Sequence, residues 1–362
     1  MRILLSATNL AAAGVEGTGG EHFILGLAAA LNAEAGCEVA LAAPEGIGTK
    51  VSCFDTSIEI LPVKARSGLA RVLGDAFGLA ALARRWQADV LHYPHEWCPR
   101  SSCPCVITVQ NVGVLYPLGI AEFGRRGQLL RTLARATARN ADVVTAVSES
   151  AATLWSTVTG LPRSAITVIS EGIAWPAFIP SSVPEPSPPD RPILGVIGGR
   201  EPGLCAARYK GEDLLLEAYD RARSEGLTAR LLLAGSHNAG SCANPPGVER
   251  LGWRPHEDFL ELATRSRCVV IPSVVESFGR PAFEAAGLGV PTIVMRDTPM
   301  ADWLGDRVTV APRDISAMAH LLAALPGSES LPLPNAASVR SQFGWSAVIA
   351  DWLDALRRAA SS

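Results

Sequence analysis

Short apolar runs alternate with helical patterns along almost the whole chain, and this alternation constrains the fold more than any other feature. In the first half we predict helices at 21–35, 69–86 and 122–139. The strands predicted there are RILLSA, EVALAA, IEILPV, DVLHY, CVITV, DVVTAV and AITVIS. Such alternation is typical of βα units around a parallel sheet, whose strands are apolar because helices cover both faces. The first half therefore predicts one doubly wound α/β domain.

The alternation breaks once, at 180–192, where PSSVPEPSPPDRP is too rich in proline and serine for a regular element. It then restarts with the strands ILGVIG, ARLLLAG, VERLG, CVVIPS, PTIVM and RVTVA and with helices predicted at 211–225, 281–288 and 314–325. We therefore expect two Rossmann-like domains that face a central cleft. The predicted limits are 1–180 and 193–344, with a linker at 181–192.

The tail, 345–362, reads as one more amphipathic helix. Its apolar residues recur at helical spacing on one stripe, which consists of Val348, Ile349, Trp352, Leu353 and Leu356. We expect this helix to pack back toward the amino-terminal domain.

Composition excludes several classes of protein. A net charge of -3 gives no general attraction to nucleic acid. MRILLSA has no signal-peptide pattern and no run approaches the roughly 20 apolar residues of a membrane span, so we expect a cytoplasmic protein. Cys98, Cys103 and Cys105 match no common zinc spacing, which favours incidental reduced thiols over a metal cluster.

The most informative loop is PSVVESFGRPAFEAAG, which includes the end of a predicted strand. It places Glu276 before a turn and Glu284 about one turn inside the next predicted helix. The amides of Phe278, Gly279 and Arg280 would point out of that helix start, where amides and the helix dipole favour phosphate. A carboxylate accepts hydrogen bonds from both hydroxyls of a vicinal diol. The loop therefore predicts a nucleotide-sugar pocket; alternatively, Glu284 stabilises the helix start and Glu276 is a solvated charge.

Two cations, Arg200 and Lys210, follow the strand ILGVIG ahead of a predicted helix. An arginine can bind a phosphate through two parallel hydrogen bonds, whereas a lysine binds it through a compact single charge. The alternative is that both are solvated surface cations. No Asp-x-Asp occurs in the sequence, so no obvious carboxylate pair would carry a divalent metal for a diphosphate. We predict no metal, with fixed cations and helix amides neutralising the leaving group.

Three further features have open interpretations. Gly19 and Gly20 precede a predicted helix and either let the backbone approach a ligand or form a flexible turn. His92 and His95, in HYPHEW, lie either in the cleft or in the core. A helix stripe of Arg131, Arg135 and Arg139 fits a solvated face better than contact with an anionic membrane.

Taken together, these segments resemble the retaining, GT-B-fold glycosyltransferases of family 4, most strongly within 193–295. ESFGRPAFE, from Glu276 to Glu284, is similar to the family's E-x7-E motif. GGRE…YKG is similar to its phosphate-binding pair, although the nine residues between Arg200 and Lys210 exceed the usual spacing.

Two other segments add to the resemblance. VERLGWRPHEDF resembles the segment that reads the nucleotide base, through the backbone near Trp253 and Arg254. GTGGEH resembles the amino-domain loop that contains Gly19 and Gly20.

The resemblance implies a role for each site residue of the carboxy-terminal domain. Glu284 would hold the ribose hydroxyls and Glu276 the hydroxyls of the donor sugar. The leaving phosphates would be bound by Arg200 and Lys210. The sugar and diphosphate would be lined by the amides of Ser277, Phe278 and Gly279.

The amino-terminal domain departs from the family at two places. Where the family commonly carries a histidine near the donor sugar, this chain has Gln110, whose amide can position a hydroxyl but cannot titrate. His95 is an alternative occupant of that space. VISEGIAWP carries Glu171 where an Asn-Gly pair is common, which we interpret as loop structure.

We therefore predict a metal-independent, retaining glycosyltransferase of the hexosyltransferase type. Its donor would be a UDP- or GDP-type nucleotide sugar, bound as a substrate with no further cofactor, and its acceptor a hydroxyl of a small metabolite or glycan. The alternatives are a non-catalytic nucleotide-sugar sensor and a GT-B-like epimerase or phosphorylase.

Overall fold

A computed structural model describes residues 1–8, 10, 19–44, 57–64, 78–94, 98, 100–110, 117–175, 191–198, 208–235, 245–325, 331 and 333–362. Within these residues the chain forms two compact units, Met1–Ala174 with Phe343–Ser362 and Trp175–Gln342. The predicted linker lies mostly outside the described residues, so the domain limits stay a prediction.

The first unit is built on a parallel sheet whose seven described strands follow the order β3-β2-β1-β4-β5-β6-β7. The strands are β1 Arg2–Ser6, β2 Glu38–Pro44, β3 Glu59–Val63, β4 Val90–Tyr93, β5 Cys105–Val109, β6 Val143–Ala146 and β7 Ile166–Val168. The helices described between them are α1 Gly19–Asn32, α2 Ala80–Trp86, α3 Pro117–Asn140 and α4 Glu149–Thr159. Both β4 and β5 are buried at every position, as expected of strands covered on both faces.

The second unit repeats this architecture. Its six described strands are parallel and follow the order β10-β9-β8-β11-β12-β13. The strands are β8 Ile193–Val196, β9 Leu231–Ala234, β10 Val248–Gly252, β11 Cys268–Ile271, β12 Thr292–Met295 and β13 Thr309–Ala311. The helices are α5 Glu212–Ser224, α6 His256–Arg265, α7 Arg280–Gly287, α8 Pro299–Leu304, α9 Ile315–Ala323 and α10 Ala336–Phe343. The predicted fold class, two doubly wound α/β sheets, is confirmed.

The carboxy-terminal helix, α11 Trp345–Ala360, returns to the first unit. Its predicted apolar stripe is buried, and the Trp352 indole meets Phe23 of α1 edge-on with ring centroids 5.2 Å apart. Trp345 lies against Gly26 and Gly172, where a Cβ would come within 2.3 and 2.1 Å of its ring. Glycine at both positions therefore lets the indole lie flat against the backbone.

Candidate functional site

The candidate site lies at the carboxyl edge of the second sheet, between β8 and β11. These strands are neighbours, but the chain continues from β8 to β9 on one side and from β11 to β12 on the other. The connections from β8 and from β11 therefore lead to opposite sides of the sheet, and such a reversal of strand order marks the crevice in which ligands bind in these sheets. Lys210 lies at the end of the first loop and Glu276 in the second.

Lys210 and Glu276 form an ion pair in this crevice. The Lys210 Nζ donates to Glu276 Oε1 at 2.7 Å, and the two side chains are only 16% and 17% exposed. Burial lowers the pKa of Lys210, but the charge and the hydrogen bond of Glu276 outweigh it and hold that pKa above its ordinary value. The crevice therefore contains a fixed ammonium beside a carboxylate.

Tight backbone contacts fix the position of this ammonium. Gly211 has φ 71°, and a Cβ there would come within 2.1 Å of the Pro272 carbonyl oxygen. The Val274 amide donates to the Tyr209 carbonyl oxygen at 2.8 Å, which ties the two loops together beside the pair. A Cβ at Gly198, just after β8, would lie 3.2 Å from the Lys210 Nζ. Lys210 is therefore held between the two loops rather than free on the surface.

The start of α7 is equally constrained. Gly279 precedes the helix with φ 88°, and a Cβ there would come within 2.4 Å of the Met300 Sδ. Pro281 occupies the first turn, where its missing N–H costs no hydrogen bond. The Phe278 ring is buried and stacks on Phe283 at a centroid distance of 4.1 Å. Phe278 therefore anchors the turn, and only its backbone is placed to meet a ligand.

Glu284 lies one turn inside α7 and is buried. Its Oε1 accepts hydrogen bonds from His256 Nε2 at 3.0 Å and from Arg280 Nη2 at 3.3 Å. His256 is not among the residues predicted from the sequence, and Arg280 was predicted to act only through its amide. Both side chains instead contact the carboxylate predicted to hold the ribose.

The remaining predicted residues of this unit are exposed, are half-buried or lie outside the described residues. Trp253 and Arg254 follow β10 on the surface, and the Trp253 ring is 37% exposed. Ser277 lies in the turn before α7. Arg200 lies outside the described residues, as does His95 in the first unit.

In the first unit, α1 begins at Gly19. A Cβ on Gly20 would meet no atom of the described structure within 4 Å. Packing within the described part of the chain therefore does not require glycine at this position. Both interpretations of the Gly19–Gly20 pair, ligand approach and flexible turn, stay open.

Gln110 follows β5, and its Nε2 donates to Glu171 Oε1 at 3.3 Å. Glu171 is buried, in a segment held by hydrogen bonds from Ile169 N to the Ala146 oxygen and from Ile173 N to the Phe343 oxygen. The interpretation of Glu171 as loop structure alone was therefore incomplete, because its carboxylate is a partner of a predicted site residue.

Two features with open interpretations have clear places in the structure. His92 is buried within the sheet, where its Nε2 lies 2.7 Å from Thr108 Oγ1, so it belongs to the core. Arg135 of the arginine stripe donates through Nε to the Val158 carbonyl oxygen at 3.0 Å. Among the helices that the structure describes, none is both long and apolar enough to cross a membrane.

The three clustered cysteines are free thiols. The Cys98 and Cys105 sulfurs lie 3.9 Å apart, and Cys103 donates to the Ala88 carbonyl oxygen at 3.5 Å. Burial raises the pKa of Cys103 to about 11. Among the described residues, no three His, Cys, Asp or Glu side chains are grouped closely enough to hold a metal ion.

Two family models match the chain. The model described as Glycosyltransferase Family 4 matches residues 17–174, and the model described as Glycosyl transferases group 1 matches residues 192–326. Together they cover most of both units.

Curated relatives match over shorter stretches. The chain is 34% identical to O-antigen chain mannosyltransferase B of Escherichia coli over 102 residues, which are 27% of either protein. It is 27% identical to D-inositol 3-phosphate glycosyltransferase of Mycolicibacterium smegmatis over 221 residues, 55% of this chain and 49% of the relative. The matches thus span about a quarter to a half of the length of these relatives.

Solved structures match over the whole chain. Sucrose-phosphate synthase from Thermosynechococcus elongatus has a TM-score of 0.70 at 17% identity, with 100% of both chains covered. HepE from Anabaena, solved in complex with UDP and glucose, has a TM-score of 0.68 at 18% identity, with 99% of both chains covered. At these identities the likeness shows a shared fold.

Proposed function

Because this chain belongs to the GT-B glycosyltransferases of the family 4 type, we propose that it transfers a sugar from a nucleoside-diphosphate sugar to an acceptor hydroxyl with retention of configuration. The observation that carries the proposal is the partly buried Lys210–Glu276 pair at the crevice of the second sheet. A fixed cation and a fixed carboxylate at this place suit a diphosphate and a sugar, respectively.

In the proposed donor complex, Lys210 binds the diphosphate and Arg200 assists it. Glu276 accepts hydrogen bonds from hydroxyls of the donor sugar while Lys210 stays in place beside it. Glu284 accepts hydrogen bonds from the ribose hydroxyls, since a buried carboxylate is an effective acceptor for a diol. The amides of the turn before α7, from Ser277 to Gly279, line the sugar and diphosphate. HepE, which shares this fold, was solved with UDP, which supports a UDP-type donor; a GDP-type donor is the other candidate.

The reaction breaks the bond between the sugar's anomeric carbon and the diphosphate oxygen, which keeps the electron pair. The acceptor oxygen bonds to the same carbon on the face that the nucleotide leaves, and the acceptor's proton passes to the departing diphosphate oxygen. Most of the barrier is then lowered by positioning and by stabilising negative charge on the leaving group. Lys210 is already fixed in place, so little reorganisation is needed when that charge develops.

The proposed reaction needs no divalent metal, because the cations of the second unit neutralise the diphosphate and the sequence has no Asp-x-Asp.

Gln110 is proposed to position a hydroxyl of the transferred sugar or the acceptor through its amide. The curated relatives include a mannosyltransferase of O-antigen chains and a glycosyltransferase of D-inositol 3-phosphate. For this chain, both a small metabolite and a glycan are acceptor candidates.

A panel of UDP- and GDP-sugars tests the proposal. We expect slow hydrolysis of one donor, faster turnover when an acceptor is added, and nuclear magnetic resonance spectra that show the donor's anomeric configuration in the product. Rates in excess EDTA should equal those with magnesium or manganese. Binding of a nucleotide sugar without turnover would support the sensor, and an inverted product or a loss of activity in EDTA would contradict the proposed mechanism.

A further inference from the structure

Glu284 contacts His256, a residue that has no part in the role predicted for Glu284. The Glu284 side chain is only 4% exposed, and both of its described donors, His256 Nε2 and Arg280 Nη2, meet the same oxygen, Oε1. Arg280 belongs to the same helix and supplies a full positive charge to this buried carboxylate. His256 comes from a different helix, 28 residues away in sequence. Its hydrogen bond therefore restrains the carboxylate from outside α7.

The position of His256 is set by the chain that precedes it. It is the first residue of α6, and Pro255 before it has φ -52° and ψ 152°. A proline fixes its own φ, so Pro255 restricts the direction in which the chain enters α6. Trp253 and Arg254, the proposed base-reading segment, lie immediately before this proline. Through His256, that segment is connected to the carboxylate of α7.

The orientation of a carboxylate is poorly fixed by its own torsion, because the last torsion of glutamate has broad minima. A ribose diol binds best when the carboxylate plane is already aligned with its two hydroxyls. A binding group held by a second layer of hydrogen bonds loses less entropy when its ligand arrives. The His256 imidazole, with 23% of its side chain exposed, provides such a restraint on Glu284.

We propose that His256 is a positioning residue that orients the Glu284 carboxylate for the ribose hydroxyls of a nucleoside diphosphate. It thereby couples the segment after β10 to the ribose site. The proposal rests on the proposed function, because it takes the ribose to be the ligand of Glu284. This positioning role differs from a purely structural role in one respect: the contribution of His256 to nucleotide affinity depends on the presence of the ribose hydroxyls.

Calorimetry with two nucleotides tests this dependence. UDP and GDP are first compared on the wild-type protein, and the tighter ligand is then compared with its 2′,3′-dideoxy analogue, which lacks both hydroxyls. The variants are His256→Ala, His256→Gln, Glu284→Ala and the His256→Ala/Glu284→Ala double variant. His320→Ala is the matched control, because His320 is an exposed histidine in another helix of the same unit.

We expect His256→Ala to weaken binding of the ribonucleotide about tenfold, the scale of one hydrogen bond to a charged group. Binding of the dideoxy analogue should change less than about twofold, and the double variant should bind no more weakly than Glu284→Ala, because the two residues act as a unit. The amide of His256→Gln can still donate to the carboxylate and should recover most of the affinity. His320→Ala should bind like the wild type.

Several results would overturn the inference. Equal loss of both nucleotides in His256→Ala would mean that His256 acts on the base or phosphates or merely supports the fold. Tighter binding would mean that the imidazole competes with the ribose. Wild-type protein that does not distinguish the two nucleotides would remove the role of Glu284 as well, whereas failure to bind either diphosphate would contradict the proposed function itself. If thermal unfolding shows that His256→Ala is not folded, His256→Gln is compared with the wild type instead. A loss of affinity in His256→Gln that is equal for the ribonucleotide and its dideoxy analogue would then overturn the inference.

Discussion

The carboxyl edges of the two sheets share a topology but differ in chemistry. In both sheets the strand order reverses beside the first strand of the unit, at β1–β4 and at β8–β11. The second edge carries a partly buried ion pair, Lys210–Glu276. The first edge carries a neutral amide hydrogen-bonded to a buried carboxylate, Gln110 to Glu171.

On the proposed function, the fold fixes where a ligand binds, while the side chains after the strands decide which ligand it is. A buried ammonium can stabilise a diphosphate, which carries its charge into the transition state. An amide beside a carboxylate suits hydroxyl groups, which both donate and accept. The same doubly wound sheet can therefore serve a charged leaving group in one unit and uncharged hydroxyls in the other.

Removing the cation of the second edge should have the largest effect. Lys210→Ala deletes the fixed charge next to the leaving group, and we expect turnover to fall about 10²–10³-fold, as for other preorganised groups that stabilise developing charge. Lys210→Arg should retain part of the activity, since the charge is kept but the geometry changes. Steady-state rates with the active nucleotide sugar provide the measurement.

Lys64→Ala is the control for this comparison, because Lys64 is exposed in the first unit. Its activity should match that of the wild type. If Lys210→Ala keeps more than about a third of the wild-type rate, the ion pair is structural, and the contrast between the two edges loses its catalytic meaning.

The sequence was sufficient to predict the strands and the loop around Glu276 and Glu284. Strands covered on both faces are continuous apolar runs, and a strand followed by two spaced carboxylates is a local pattern. The contacts of those carboxylates were not predictable in this way. His256 reaches Glu284 from a helix 28 residues away, and Gln110 reaches Glu171 across 61 residues. Such pairings depend on how helices and loops pack, which a single sequence does not encode locally.

The amide of the first edge should matter less than the cation of the second. Gln110→Ala leaves the Glu171 carboxylate without this hydrogen bond, and we expect turnover to fall about ten- to hundredfold. Gln110→His should be nearly as active as the wild type if the position works through geometry alone. Binding of the bare nucleoside diphosphate should be unchanged in both variants, because its proposed ligands belong to the second unit.

His95→Ala is made in parallel, since His95 is the alternative occupant of the predicted space. Greater damage from His95→Ala than from Gln110→Ala would transfer the positioning role to the histidine. Equal and negligible activity in all variants and in the wild type would favour a nucleotide-sugar sensor.

The smallest effects are expected from single methyl groups on glycines at the two edges, and they separate structural from functional needs. Gly279→Ala puts a Cβ at φ 88° and against the buried Met300, so we expect a loss of about 2–3 kcal/mol in the free energy of unfolding. In Gly20→Ala the new Cβ has no atom of the described structure within 4 Å, and alanine favours the helix more than glycine does. The free energy of unfolding should therefore stay equal or rise by up to about 0.5–1 kcal/mol. Denaturant unfolding measures both. If a ligand approaches the backbone at Gly20, its alanine variant should nevertheless lose about ten- to hundredfold in turnover, because the added methyl group displaces the ligand and disturbs the alignment of the reacting groups. A fully active Gly20→Ala variant would instead identify this glycine as part of a turn, and the ligand contacts of the first edge would then have to come from side chains such as Gln110.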